Sequence, residues 1–195
     1  AYSIPAGVLL SGDSAGIYNS MNPELGNAQP VYNWLSVYNP GTLPFSATVQ
    51  VLSQDGSLNQ LASFRLEGLR PGERSDKALG HEQGQTTGLY RIIPDDKSQV
   101  YGAFLSRFSL SQDGTYDFGF TLLAAKAVSD SGFIPASSMG PAYNWAEIAN
   151  VSGQVVSVLI EVINRERKVL LSASAELSPG EQHHLFLNEP LAEDK

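Results

Sequence analysis

The chain has no cysteine in its 195 residues. That excludes a disulfide scaffold, thiol catalysis and a cysteine-held zinc, while leaving the redox compartment open. It also has no uninterrupted apolar run of about 18 residues, the length needed to cross a bilayer as a helix. Basic residues are few: 12 Lys and Arg stand against 20 Asp and Glu, giving a net charge of −8 and a pI near 4.8. No Lys/Arg cluster offsets that charge locally, so a phosphate backbone would be repelled and a nucleic-acid role is excluded. Sustained 3.6-residue apolar periods with caps are missing too, so little or no helix is expected. An initiator Met is absent, and Ala1-Tyr2-Ser3 suits a processed, secreted chain, extracellular or at the cell surface.

What is present is enough apolar material for a packed core, 42% of residues, with 18 Gly and 11 Pro spread along the length. The chain also repeats itself. Tyr32-Asn33-Trp34 recurs as Tyr143-Asn144-Trp145, 111 residues on, and the same offset carries Asn39 onto Asn150 and Thr48–Leu52 onto Leu159–Ile163. Three residues shorter, Leu69-Arg70-Pro71-Gly72-Glu73 aligns with Leu177-Ser178-Pro179-Gly180-Glu181, and Asp13–Ile17 pairs loosely with Asp130–Phe133. Two tandem modules are expected, over residues 1–125 and 126–195.

Within each module the apolar period is two. Ala47, Val49 and Val51 alternate with Thr48 and Gln50, and Val158, Ile160 and Val162 alternate with Glu161, the pattern of half-buried strands. These six apolar residues are the expected core. Further strand-like runs are 88–93, 100–108 and 116–123, separated by Asn39-Pro40-Gly41, Asp55-Gly56, Pro71-Gly72 and Asp113-Gly114 turns. The fold class is therefore all-β, an antiparallel sandwich. The second module is short: fifteen residues follow Gly180, against about fifty after Gly72 in the first, so counterparts of the 88–93 and 100–108 strands are missing. A sandwich without them exposes apolar faces and unpaired edges. Residues 2–10, a neighbouring chain or a longer protein could supply the cover.

The Asn-Trp…Asn spacing, the Val-rich strand, Leu-x-Pro-Gly and "HHLFLNEP" resemble tandem Ig-like modules of secreted bacterial surface proteins. The resemblance implies a surface-exposed, non-catalytic sandwich and carries over no active-site residue. The first module departs from it, with Asp76-Lys77-Ala78-Leu79-Gly80 where the second has "HLFLNE".

Several motifs invite chemistry. Gly12-Asp13-Ser14-Ala15-Gly16 spells G-x-S-x-G, but a nucleophile elbow needs a helix after the serine, and "IYNSMNPELGNAQP" cannot begin one. No His precedes Ser14 as a trypsin-like order would require, so a polar turn is the better reading. His183-His184, with Glu181 and Glu189, suggests a metal, yet adjacent strand residues face opposite ways and only His81 remains to complete a site. Asp95-Asp96 reads as a solvated turn, lacking the alternating oxygen ligands of a calcium loop. Neither metal nor cofactor is expected. Asn150-Val151-Ser152 is a glycosylation pattern of a kind that arises by chance.

The aromatic residues Tyr32, Trp34, Tyr143 and Trp145 form a possible contact surface. With Leu35, Val37, Ala146 and Ile148 facing the core, each Trp shares an outer face with Ser36 or Glu147. Repetition favours a packing role at the end of each sandwich; the functional reading is a platform for a glycan or a neighbouring subunit. The leading expectation is a structural or adhesive surface module that self-associates or joins a larger assembly, with strand addition as the means. An accessory carbohydrate-binding module is the alternative, and a hydrolase using Ser14 a distant third.

Overall fold

The computed structural model describes residues 9–21, 31–80, 86–111, 113–125, 132, 136 and 144–188. They are all-β: thirteen strands, paired antiparallel throughout. The chain divides into two compact units, Ala1–Val128 and Ser129–Lys195.

The first unit contains β1 (Leu10–Ser11), β2 (Ser14–Asn19), β3 (Val31–Tyr38), β4 (Phe45–Ser53), β5 (Phe64–Leu69), β6 (Arg74–Leu79), β7 (Thr87–Pro94), β8 (Val100–Leu110) and β9 (Tyr116–Leu123). One sheet runs β2-β7-β4-β5. The other runs β1-β8-β3-β6, with β9 also on β8. Counted from β2, the pairs β3–β6 and β4–β7 occur in the constant-type immunoglobulin order, but β2 lies beside β7, β8 beside β3 and β5 beside β4, so three strands depart from it.

Alternation builds the core between these sheets. Phe45, Ala47, Val49 and Val51 of β4 are buried against Leu35 and Val37 of β3 and Tyr101, Ala103 and Leu105 of β8. Full burial of each Val contributes about 1.5–3 kcal/mol. Tyr18 and Tyr90 are buried opposite glycines, Gly88 and Gly16, where a Cβ would stand 2.2–2.3 Å from the ring or hydroxyl. These two glycines are what allow the tyrosines to lie across β2 and β7.

The second unit contains β10 (Trp145–Ala149), β11 (Val156–Ile163), β12 (Val169–Leu177) and β13 (Gln182–Phe186), paired β10–β13 and β11–β12. The registers match the first unit: Trp34 faces Ala78 and Tyr38 faces Arg74, as Trp145 faces Phe186 and Ala149 faces Gln182. A smaller core joins Ala146, Val162 and Leu187 with Leu170, Leu171 and Leu185. Val158 and Ile160, expected in the core, are only half-buried, whereas Val49 in the first unit is wholly buried.

One polar corner occurs in both units with the same bonds. Asn39, at the end of β3, donates from Nδ2 to the carbonyls of Leu43 (2.8 Å) and Leu69 (2.7 Å), and its Oδ1 accepts from Gly41 N. Asn150 does the same with Gln154 (2.7 Å), Leu177 (2.9 Å) and Ser152 N. The backbone of each Asn clasps a Pro-Gly turn: Gly72 N donates to Asn39 O and Asn39 N to Glu73 O, while Gly180, Asn150 and Glu181 repeat the pattern. Gly72 and Gly180 have φ of 78° and 83°, and an i to i+3 bond closes each turn, which makes both type II turns with Pro at i+1. Glu73 and Glu181 then cap their turns by accepting from the backbone N–H of Arg70 and Ser178.

Each unit has one of the chain's two tryptophans, so single-Trp variants report the units separately. In a Trp145→Phe background, Asn39→Ala is expected to lower the urea stability read by Trp34 by about 2–3 kcal/mol, because buried carbonyls lose their donors. Asn150→Ala is expected to leave that transition unchanged and weaken the one read by Trp145.

The N–H of Arg70, and secondarily its guanidinium, hold the Glu73 carboxyl below the usual carboxylate range. The folded state therefore binds this proton less readily than the unfolded chain, and its contribution is present at neutral pH and lost as pH falls through the folded value. Glu73→Gln should flatten the acid side of the first unit's stability profile; an unchanged profile below about pH 4 would contradict this role.

Candidate contact surface

The outer faces of the two sheets of the first unit differ in chemistry. On β2-β7-β4-β5, Thr48, Gln50, Arg65 and Arg91 share the outer parity with Ile17, Leu52, Leu89 and Ile93, of which Leu52 and Leu89 are buried, and the Arg65 guanidinium bonds Thr48 Oγ1 and the Asp95 carboxylate. On the other sheet the same parity places Tyr32, Trp34 and Tyr38 on β3, Phe104 and Phe108 on β8, and Tyr116 on β9. Tyr32 stacks on Phe108 with centroids 5.3 Å apart, and Phe108 meets Tyr116 at 5.7 Å, so three rings cross three strands. Trp34 is 40% exposed and Tyr116 63%, with Tyr38, Val100 and Leu123 also exposed. Antiparallel sheets in a sandwich ordinarily turn polar side chains outward, so this aromatic outer face departs from the usual pattern.

Around Trp34 the cross-strand neighbours are small: Ala78 on β6, Ser106 on β8, and Thr121 beyond it on β9. The margin along β6 is polar, with Ser36 Oγ donating to Asp76 (2.5 Å) and Arg74 paired to Asp76 (3.0 Å).

The residues read from the sequence as an aromatic surface have different surroundings in the two units. Tyr32 and Trp34 lie on this face. Trp145 is half-buried against Phe186, its cross-strand partner, at 5.1 Å. Phe186 stands where the first unit has Ala78, so the second Trp packs where the first lies open. Tyr143 lies outside the described residues. The remaining repeated residue of the Tyr-Asn-Trp motif is structural: buried Asn33 accepts from Asn19 N and Arg107 Nε and donates to Asn19 O.

Phe104, Phe108 and Tyr116 were missed in the sequence because 100–108 reads as a core strand. Its signal was there: both parities are apolar, Tyr101, Ala103 and Leu105 on one and Phe104 and Phe108 on the other.

Ser14 begins β2 and is buried; the Tyr101 hydroxyl shares its proton between Ser14 Oγ (2.7 Å) and the Gly12 carbonyl (2.9 Å). A strand, not a helix, follows it. Burial raises the Tyr101 pKa, against the lowering effect of the Ser14 bond. His183 and His184 face Ile148 and Glu147 across β10, on opposite sides of that sheet. Glu181 caps its turn, Asp96 accepts from Ser98, and His81 and Glu189 lie outside the described residues. Among the described residues no group of three His, Asp or Glu converges as a metal site. The amide nitrogen of Asn150, the atom a glycan would take, is buried and gives both its protons to carbonyls. No helix among the described residues is long and apolar enough to cross a membrane.

No protein-family profile matches the sequence, and no curated protein is significantly similar to it. A solved structure described as the crystal structure of Thermotoga maritima 1070 overlays with a TM-score of 0.44 at 13% identity, over 60% of this chain and 94% of that one.

Ser14→Ala and Tyr101→Phe are each expected to cost the first unit about 1 kcal/mol, with the double variant costing clearly less than the sum. Additive losses in urea denaturation would show that the two hydroxyls act apart.

Proposed function

We propose that the chain is a non-catalytic, extracellular or cell-surface module, structural or adhesive, built from two tandem Ig-like sandwich copies and binding through its aromatic sheet face. The observation that carries this reading is the outer face of β3, β8 and β9, where stacked rings cross three strands and Trp34 and Tyr116 stand exposed. The polar corner repeated in both units supports the tandem origin. The residues that could suggest catalysis are taken up in packing, with Ser14 held by Tyr101.

A glycan is the second reading, favoured by the small and hydroxylated neighbours of Trp34, which leave a shelf where a flat sugar face could stack and find hydrogen bonds. A panel of immobilised polysaccharides separates the two. Saturable binding lost by at least about tenfold in Trp34→Ala, with the melting transition retained, would assign the face to carbohydrate. An empty panel alongside aromatic-dependent adhesion to protein-coated surfaces assigns it to protein contact. Turnover of ester, peptide or glycoside substrates that disappears in Ser14→Ala would overturn the non-catalytic reading.

A further inference from the structure

The hairpin joining β11 to β12 turns through Asn164-Arg165-Glu166-Arg167-Lys168, a local exception in a chain whose acids outnumber its bases. Asn164 N donates to Lys168 O and Arg167 N to Asn164 O, both at 3.0 Å, while Asn164 Oδ1 accepts from Glu166 N and Lys168 N. The same two backbone bonds close the turns at 53–57 and 111–115. There the fourth residue is glycine, Gly56 and Gly114, with φ of 83° and 82°. Here it is Arg167 at 64°, the one non-glycine among the described residues in the left-handed region. Glycine adopts that conformation freely and a side chain does not, so a guanidinium is held at the tip against the preference of the backbone.

The charges on this tip are also unanswered. In the first unit every described basic residue has a partner within the chain. Arg65, Arg70, Arg74 and Lys97 pair with carboxylates, Lys77 lies over Phe64, Arg107 bonds Asn33, and Arg91 is also engaged. Arg165, Arg167 and Lys168 are exposed and, among the described residues, make no ion pair. Directly behind them Ile163 and Val169 face each other across the hairpin, 53% and 45% exposed. Glu166 in the turn and Glu161 on the strand behind are the nearest acids along the hairpin. Two aliphatic side chains gain nothing against a phosphate backbone, an acidic glycan or a free anion. A bilayer surface offers anionic headgroups and apolar chains at one boundary, which matches cations followed by an aliphatic pair.

We propose that the β11–β12 tip docks on an anionic lipid surface, with Arg165, Arg167 and Lys168 among the headgroups and Ile163 and Val169 at the edge of the acyl chains. The attraction is local: at physiological salt, charges beyond about 8–10 Å are screened, so the acidic remainder of the chain opposes it weakly. The site is separate from the aromatic face, and neither depends on the other.

The test compares the full chain with Arg167→Gly, which gives this turn the residue its two counterparts have and so preserves or firms the fold. Co-sedimentation with vesicles of equal parts phosphatidylcholine and phosphatidylglycerol is expected to show saturable binding. It should be at least about tenfold tighter than to phosphatidylcholine alone and weaken as salt is added. Arg167→Gly should bind the anionic vesicles about fivefold more weakly while melting at the same temperature or higher. Adding Arg165→Ser and Lys168→Ser should bring binding down to that of neutral vesicles. Because the exposed rings of the first unit could also meet a bilayer, the difference between wild type and these variants is the reading that counts. Equal binding by the triple variant would overturn the proposal. So would displacement by millimolar inorganic phosphate, which assigns the tip to a free anion. Retention on an acidic polysaccharide without vesicle binding would overturn it in favour of a soluble polyanion.

Discussion

A buried asparagine at the end of a strand fixes the architecture of both units. Asn39 and Asn150 each spend two amide protons on two separate carbonyls, one in the turn that follows and one at the end of a distant strand. Their own backbone groups hold the Pro-Gly turn that leads into β6 or β13. A single side chain thus ties the end of β3 to the end of β5 and the start of β6, and so sets the β3–β6 register while the chain passes between sheets. No other side chain could do this as well: Asp lacks the donors, Gln reaches too far, and an apolar residue would leave buried carbonyls unpaired.

With the corner fixed, the rest follows from alternation. Side chains on one parity of β3, β4, β7 and β8 close the core, and the other parity decides what each sheet offers to its surroundings. On one sheet that parity mixes hydroxyl, amide and guanidinium groups with aliphatic side chains; on the other it carries rings. The serine of the G-x-S-x-G pattern falls on the inner side of β2, where Tyr101 shields it from water. Its chemistry is that of a packed hydroxyl, because the β2 backbone continues as strand where an elbow must turn into helix.

Much of this was legible in the sequence, and for local reasons. Period-two alternation marked β4 and β11, apolar strand-like runs marked β7, β8 and β9, and Pro-Gly and Asp-Gly pairs marked turns because each requires a backbone conformation that few residues adopt. Sheet membership was not legible: that β8 joins β3 and β7 joins β4 depends on contacts distant in sequence. The role of Asn39 was also hidden, since its partners Leu43 and Leu69 contribute carbonyls that every residue has. For the same reason the sequence showed no structural role for Asn150, only a glycosylation pattern of a kind that arises by chance. The aromatic face escaped because two parities of one strand were both apolar, and only its neighbours tell which of them lies inside. Trp145 shows the reverse error: repetition of Tyr-Asn-Trp suggested equal environments, but Phe186 in place of Ala78 changed one.

The two units consequently rest on unequal foundations. In the first, seven or more strands enclose a continuous apolar core, and buried polar groups such as Asn33 and Arg107 answer one another. In the second, the corner and its turn are intact, yet among the described residues few side chains are fully buried, and Val158 and Ile160 are half-buried. Polar corners specify geometry and contribute modestly to stability, whereas burial of apolar area contributes most of it. Among the described residues, the second unit therefore repeats the corner geometry of the first with less of the apolar burial that stabilises it.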